Sequence, residues 1–307
     1  MSSEKNHRLN LMDTCKPIST LVAQDGSEIP IYLLSSGSER QRAMIVLHAT
    51  GFSGCTYREL AKSLGSTWDV YAIDFRGHGL SKAYADESFE WSHFASDVKE
   101  ATGFLESMGY QHIDIFGHSM GGAAAILSLE SDNLAADTVF LFEPIIIDNR
   151  GIDAVADEDS PLAKAAARRR STFSSFEEAY TNFISKEPMA RFSKSVVADY
   201  VTSGFDQLSD GTVSLRCKRE IEARIYTLGG VHRAYESLSL IDNRVFVLYG
   251  ASTDTFDGNH FQDLATQLVN GTAVEVRGVG HFGPMTHPSL VGSLISKLGA
   301  ARNFRAL

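Results

Sequence analysis

Residues 114–125 read Asp114-Ile115-Phe116-Gly117-His118-Ser119-Met120-Gly121-Gly122-Ala123-Ala124-Ala125. An apolar run of the β type stops at Gly117 and an alanine-rich helical run starts after Gly121, with Ser119 at the corner between them. A Gly-x-Ser-x-Gly corner needs small residues on both sides of the serine, because the turn is strained and the helix packs hard against the strand. The turn lifts the hydroxyl into the open. It also leaves the serine at a helix N-terminus, where free backbone N–H groups and the positive end of the dipole favour a forming oxyanion. Ser119 is therefore a candidate nucleophile.

Outward from this corner the chain alternates strands and helices. Upstream, Ala43 to Leu47 reads as a strand buried on both faces, ending in His48-Ala49-Thr50-Gly51-Phe52-Ser53-Gly54. Tyr57 to Leu64 reads as a short helix, Trp68 to Ile73 as another strand, and Asp74-Phe75-Arg76-Gly77-His78-Gly79 as its terminal loop. Phe94, Val98, Ala101, Leu105 and Met108 recur at steps of four and three, so one helical stripe faces a core until Gly109 ends it. Downstream, Thr138 to Phe142 is a strand closed by Glu143-Pro144. This βαβαβαβ order predicts an α/β fold, with a mostly parallel central sheet, helices on both faces and function beyond the carboxyl ends of the strands. Before it, residues 1–16 read as a loose polar lead-in, and Ile18 to Ala23 and Ile29 to Leu34 flank an Asp25-Gly26 hairpin turn.

From Ile145 to about Leu240 helix signals take over. Ser160-Pro161 opens a helix ending in Arg168-Arg169-Arg170, which reads as a solvated helix end. Ser174 and Glu177 have capping-box spacing ahead of another, and further helical stretches cover Ser195 to Val201 and Arg219 to Leu228. The insert's aromatic residues are expected to form mostly its own core, a minority lining an apolar pocket. The sheet resumes with Arg244 to Tyr249, a helix from Phe261 to Leu268, a strand from Ala273 to Val276 and a last helix from Pro288 to Leu298. The expected organisation is a core in two parts, residues 1–149 and 237–307, with a helical cap insert at residues 150–236.

Composition narrows the function classes. The chain has 307 residues, 43% apolar and 21% charged, which is ordinary globular composition. A formal charge of -10 argues against nucleic acid as a partner, since phosphate binding needs clustered Lys and Arg. Cys15, Cys55 and Cys217 form an odd, scattered set that suggests neither a disulfide framework nor a zinc site and fits a reducing compartment. The N-terminal residues lack an apolar targeting segment and no run approaches a membrane span, so a cytoplasmic protein without a membrane partner is expected.

A serine nucleophile needs a base, and the base needs an orienting acid. His281 lies in the Gly278-Val279-Gly280-His281 loop after the last strand, and Asp254 lies in a polar turn after the strand before it. Glu143 also ends a strand. Asp254 is preferred because its Ser-Thr-Asp-Thr turn offers local donors, whereas Phe140-Leu141-Phe142 and Ile145-Ile146-Ile147 would desolvate Glu143. Asp257 is a distant third. His118 and His48 read as architecture, and Asp74 with Arg76 as a structural turn pair.

Taken together, the His48 to Phe52 loop, the Asp74-Phe75-Arg76-Gly77-His78-Gly79-Leu80-Ser81 loop, the Gly117 to Gly121 corner and Gly280-His281-Phe282 resemble the α/β-hydrolase superfamily over about residues 20 to 300. The resemblance implies Ser119 as nucleophile, His281 as base, and an oxyanion hole from the Met120 N–H and one N–H of the His48 loop. Ala49-Thr50 departs from the usual His-Gly-aromatic pattern there, and Thr50 is favoured over Phe52. It implies no metal or organic cofactor. The implied activity is hydrolysis of a small-molecule carboxylic ester or related acyl compound through an acyl-enzyme. Carbon–carbon bond hydrolysis of dienoate diketones and a ligand receptor on the same fold are the alternatives, and the sequence does not specify the substrate or the oligomeric state.

Overall fold

The computed structural model describes residues 15–38, 41–82, 89–130, 134, 136–151 and 155–301. Residues 1–14 of the expected lead-in lie outside them. A hairpin of β1 (Ser19–Val22) and β2 (Glu28–Ser35) comes first, its turn closed by the Asp25 carboxylate accepting from the Ser27 N–H at 3.0 Å. β3 (Arg42–Leu47), α1 (Arg58–Ser63), β4 (Asp69–Ile73), α2 (Trp91–Ser107), β5 (His112–His118), α3 (Met120–Ser128) and β6 (Thr138–Phe142) follow. The chain then forms α4 (Pro161–Arg168), β7 (Thr172–Phe173), α5 (Phe176–Ile184), α6 (Lys194–Gly204), β8 (Phe205–Gln207), β9 (Val213–Leu215), α7 (Arg219–Thr227) and α8 (Ala234–Ser237). It returns through β10 (Arg244–Gly250), α9 (Gly258–Gln267), β11 (Asn270–Val276), α10 (Gly283–Thr286) and α11 (Pro288–Ala300).

Eight strands make one sheet in the order β1-β2-β4-β3-β5-β6-β10-β11, parallel from β4 to β11. The first hairpin pairs antiparallel at one edge. The two-residue side-chain period builds a core on each face: on β6, Val139 and Leu141 join Phe94, Val98 and Leu105 of α2, while Phe140 and Phe142 join Trp68 and the α11 residues Val291 and Ile295. At the amino ends of the strands a buried carboxylate ties the sheet together. Asp114 accepts from Trp68 Nε1 at 2.7 Å, from the Thr138 N–H at 2.9 Å and from Arg42 Nε at 2.9 Å. Because its charge is paired, burying it costs little relative to an unpaired carboxylate.

Four local expectations need correction. The segment between β6 and β10 is not purely helical, since β7, β9 and β8 form a three-stranded antiparallel sheet. Strands of two or three residues carry no readable period, although Asp210-Gly211 between β8 and β9 is a hairpin signal. The side chain that caps α5 is that of Ser175, accepting from the Glu178 N–H, one residue later than the spacing suggested. Asp74 and Arg76 do not pair. Asp74 takes Tyr32 Oη at 2.6 Å and the Gly54 and Leu80 N–H groups at 2.8 Å, while Arg76 spans Asp97 and Asp25. Finally, Cys15 is bonded to Cys55 and only Cys217 is a free thiol among the described residues. The partners lie far apart in sequence and nothing in their spacing marks them as a pair, so the cysteine-based reason for a reducing compartment falls away. Among the described residues no helix is long and apolar enough to cross a membrane.

Candidate active site

Ser119 joins β5 to α3 with φ 56° and ψ -117°, a region that L-residues avoid. Glycine on either side is compulsory: a Cβ on Gly117 would lie 2.6 Å from the Gly121 carbonyl oxygen, and one on Gly121 would lie 2.3 Å from that of Leu47. The Ser119 N–H donates to the Phe142 carbonyl at 3.0 Å, which locks the corner to the end of β6. The strain is held by packing on three strands.

The next residue after β6 is Glu143, also at positive φ (44°) and fully buried. Its carboxylate accepts from His281 Nδ1 at 2.9 Å, from Thr253 Oγ1 at 2.6 Å and from the Gly250 N–H at 2.8 Å. The acid on the histidine is therefore Glu143, and the choice of Asp254 is corrected. Asp254 is exposed in the turn after β10, and no hydrogen bond joins it to His281 among the described residues; its neighbour Thr253 supplies the contact instead. Asp257 caps α9 through the His260 N–H. The expected desolvation of Glu143 is met by three donors, which replace the water it loses. Since a carboxylate accepts, Nδ1 of His281 carries a proton, and in the neutral ring Nε2 is then the bare nitrogen.

The loop after β3 has a specific hydrogen-bond pattern. Ala49 N–H donates to Tyr57 Oη at 3.0 Å, Gly51 N–H to His78 Nε2 at 3.0 Å, and Phe52 N–H to the Ala49 carbonyl at 3.2 Å. Among the described residues nothing accepts from the Thr50 or the Met120 N–H. His48 Nδ1 also donates to the Ala49 carbonyl, at 2.8 Å, and its Nε2 accepts from the Phe75 N–H at 3.0 Å. A trans peptide is planar, so two donors on the Ala49 oxygen aim the Thr50 N–H the opposite way. Thr50 Oγ1 touches Met120 Sδ at 3.4 Å, bringing the two residues that own the free N–H groups together. The Phe52 N–H is already used within the loop.

The histidines of these loops are held neutral. Burial pushes His48 well below the usual imidazole range, with the neighbouring His78 adding to the effect, and burial brings His78 itself to about 4. Both accept a backbone N–H through Nε2, which only the neutral ring can do.

A sequence profile of the alpha/beta hydrolase family matches residues 44–292. The chain belongs to the alpha/beta hydrolase family. It is 33% identical over 90 residues to a serine hydrolase-like protein of Danio rerio, covering 29% of this chain and 27% of that protein. To a probable protein phosphatase methylesterase 1 of Caenorhabditis elegans it is 27% identical over 157 residues, 50% of this chain and 41% of that one. The matches thus span less than half the length of these relatives. A peroxisomal alpha-beta-hydrolase of Saccharomyces cerevisiae superposes with a TM-score of 0.74 at 17% identity, over 92% of this chain and 84% of the other, which shows a shared fold.

In this hydrolase fold the segment between β6 and β10 lies over the Thr50 loop. Phe52 packs against Phe192, Tyr200 and Phe282, with ring centroids 5.6–6.1 Å apart. A cavity of about 530 Å³ opens there, lined by Thr50, Gly51 and Phe282 together with Leu162, Phe183 and Tyr226 of the segment between β6 and β10. Phe173, Phe183, Tyr200 and Phe205 pack on one another as an aromatic cluster, and Phe183 also faces the cavity. Arg169 is not the solvated helix end expected. It lies in the cavity wall, pairs with Glu222 at 2.5 Å and donates to Tyr200 Oη. Among the described residues no group of three or more His, Cys, Asp or Glu is placed to hold a metal ion.

Proposed function

We propose that the chain hydrolyses a carboxylic ester or related acyl compound through an acyl-enzyme on Ser119. The observation that carries this reading is the hydrogen bond from His281 to a buried, triply held Glu143 that directly follows the strand beside the serine corner. With Nδ1 committed to Glu143, His281 Nε2 takes the Ser119 proton as Oγ attacks the carbonyl carbon. The carbonyl oxygen becomes an oxyanion, received by the Thr50 and Met120 N–H groups, the latter at the start of α3 where the dipole adds to the attraction. Imidazolium then protonates the departing alkoxide. Water, deprotonated by His281, attacks the acyl carbon and the reverse transfer frees Ser119. The cavity of about 530 Å³ is of the size that holds a small acyl group, and its wall combines apolar residues such as Phe52, Leu162, Phe183 and Met189 with charged ones, among them the Arg169–Glu222 pair and Lys186. The names of the Danio rerio and Caenorhabditis elegans relatives point to the same chemistry.

A fluorophosphonate probe combined with a panel of p-nitrophenyl esters of graded chain length tests this reading. Wild-type protein is expected to be labelled and to hydrolyse at least one ester, whereas Ser119→Ala loses the label and several orders of magnitude in kcat with its fold unchanged. Ester turnover by Ser119→Ala within about tenfold of wild type sinks the proposal.

A further inference from the structure

Two buried side chains outside the serine, histidine and glutamate connect the halves of the site. Tyr57 closes the short turn Gly54–Tyr57 and is 1% exposed; His118 precedes the serine and is fully buried. Tyr57 Oη receives the Ala49 N–H at 3.0 Å and lies 2.7 Å from His118 Nδ1, while His118 Nε2 lies 2.9 Å from the His281 carbonyl oxygen. One proton arrangement satisfies all three contacts. A carbonyl only accepts, so Nε2 of His118 carries the proton; the neutral ring then has a bare Nδ1, and the Tyr57 hydroxyl must donate to it. Burial, aided by the nearby His281, pushes the His118 pKa well below the usual imidazole range, in keeping with the neutral ring.

The result is a directed chain running from Ala49 N–H through Tyr57 and His118 to the backbone of His281. At one end it fixes the peptide just before the one that presents the Thr50 N–H. At the other it holds the main chain that carries the base. We propose that Tyr57 and His118 are positioning residues that set the distance and orientation between the oxyanion donors and His281, so that neither half is in place without the other. Neither residue touches the reacting atoms. This inference rests on the acyl-enzyme reading above. Pre-organised geometry of this kind is felt in the chemical step, because a small displacement of a donor or base weakens transition-state contacts more than it weakens binding.

The test measures fluorophosphonate labelling of Ser119 at several probe concentrations in full-length wild type, Tyr57→Phe, His118→Leu, His118→Gln and the Tyr57→Phe/His118→Leu double variant. The maximal labelling rate is expected to fall on the order of ten- to a hundredfold in Tyr57→Phe and in His118→Leu, with half-saturation within about twofold of wild type. The double variant should be no slower than His118→Leu, since one broken link already opens the chain. His118→Gln, whose amide can still donate to the His281 carbonyl, should recover part of the loss. The labelled fraction at end point separates slow chemistry from unfolded protein, and His118→Gln keeps the test decisive if Tyr57→Phe fails to fold. Additive losses, or single variants that label at the wild-type rate, overturn the relay while leaving the hydrolase reading intact. Absence of labelling in wild-type protein overturns both.

Discussion

At the residue scale the exchange of Asp254 for Glu143 is the main lesson of the site. Local sequence around Glu143 is apolar, and a carboxylate judged by its neighbours in the chain would be poorly solvated there. Its actual environment comes from elsewhere, because positive φ at Glu143 turns the residue toward Gly250, Thr253 and His281, all more than a hundred positions away. Glu143→Gln should lower kcat on the order of 10⁴-fold, the scale of replacing the orienting carboxylate in a serine-protease triad, because the amide favours the wrong imidazole tautomer. Asp254→Asn, at an exposed side chain, should change kcat by less than about threefold. Steady-state kinetics of the two variants on one ester decides this, and a larger loss for Asp254→Asn reverses the assignment.

At the element scale, two loops depend on each other. The loop after β3 and the loop after β4 are joined by His78 accepting from Gly51 and by His48 accepting from Phe75. The folded-state pKa of His78 is depressed to about 4, below the unfolded value near 6.5, so the unfolded chain binds the extra proton first as pH falls. The stability contributed by neutral His78 is thus complete above about pH 6.5 and is lost progressively toward pH 4. Raised pKa values at Asp97 and Asp199, both driven by burial, act in the opposite direction over part of this range, so the wild-type curve alone is not diagnostic. Comparison with His78→Gln isolates the histidine. Between pH 6 and 4.5 the unfolding free energy of wild type should fall more steeply than that of the variant by about one proton, or about 1.4 kcal/mol per pH unit. Urea titrations across that range measure it, and parallel curves would show that His78 does not titrate on unfolding.

At the scale of the whole molecule, the Cys15–Cys55 bond closes a loop with a sequence separation of 40 and carries the start of the described chain to the turn that bears Tyr57. Loop-closure entropy for that length corresponds to about 4 kcal/mol of stabilisation. Cys15→Ser should therefore unfold at lower denaturant than oxidised wild type, by up to about that amount. Reductant should produce the same loss in wild type and none in the variant. Equal stability of oxidised and reduced wild type would count against a stabilising role for the bond.

The strand, corner and helix around Ser119, the alternation that gives a parallel sheet with two cores, and the His281 loop were legible in the sequence, because each is set by local means: apolar runs, small residues at a strained turn, and glycines beside it. The preference for the Thr50 N–H rests on the family resemblance rather than on local pattern, and among the described residues nothing accepts from that N–H. What tertiary structure alone decided is where distant donors converge. Glu143 finds its partners across β10 and the β11 loop, Arg169 finds Glu222 and Tyr200 inside the cavity wall, Cys15 finds Cys55, and Tyr57 meets His118. Each of these pairs is separated by tens of residues or more, and hydrogen bonds and disulfides depend on approach within a few ångströms, which sequence spacing does not encode once the chain crosses between strands.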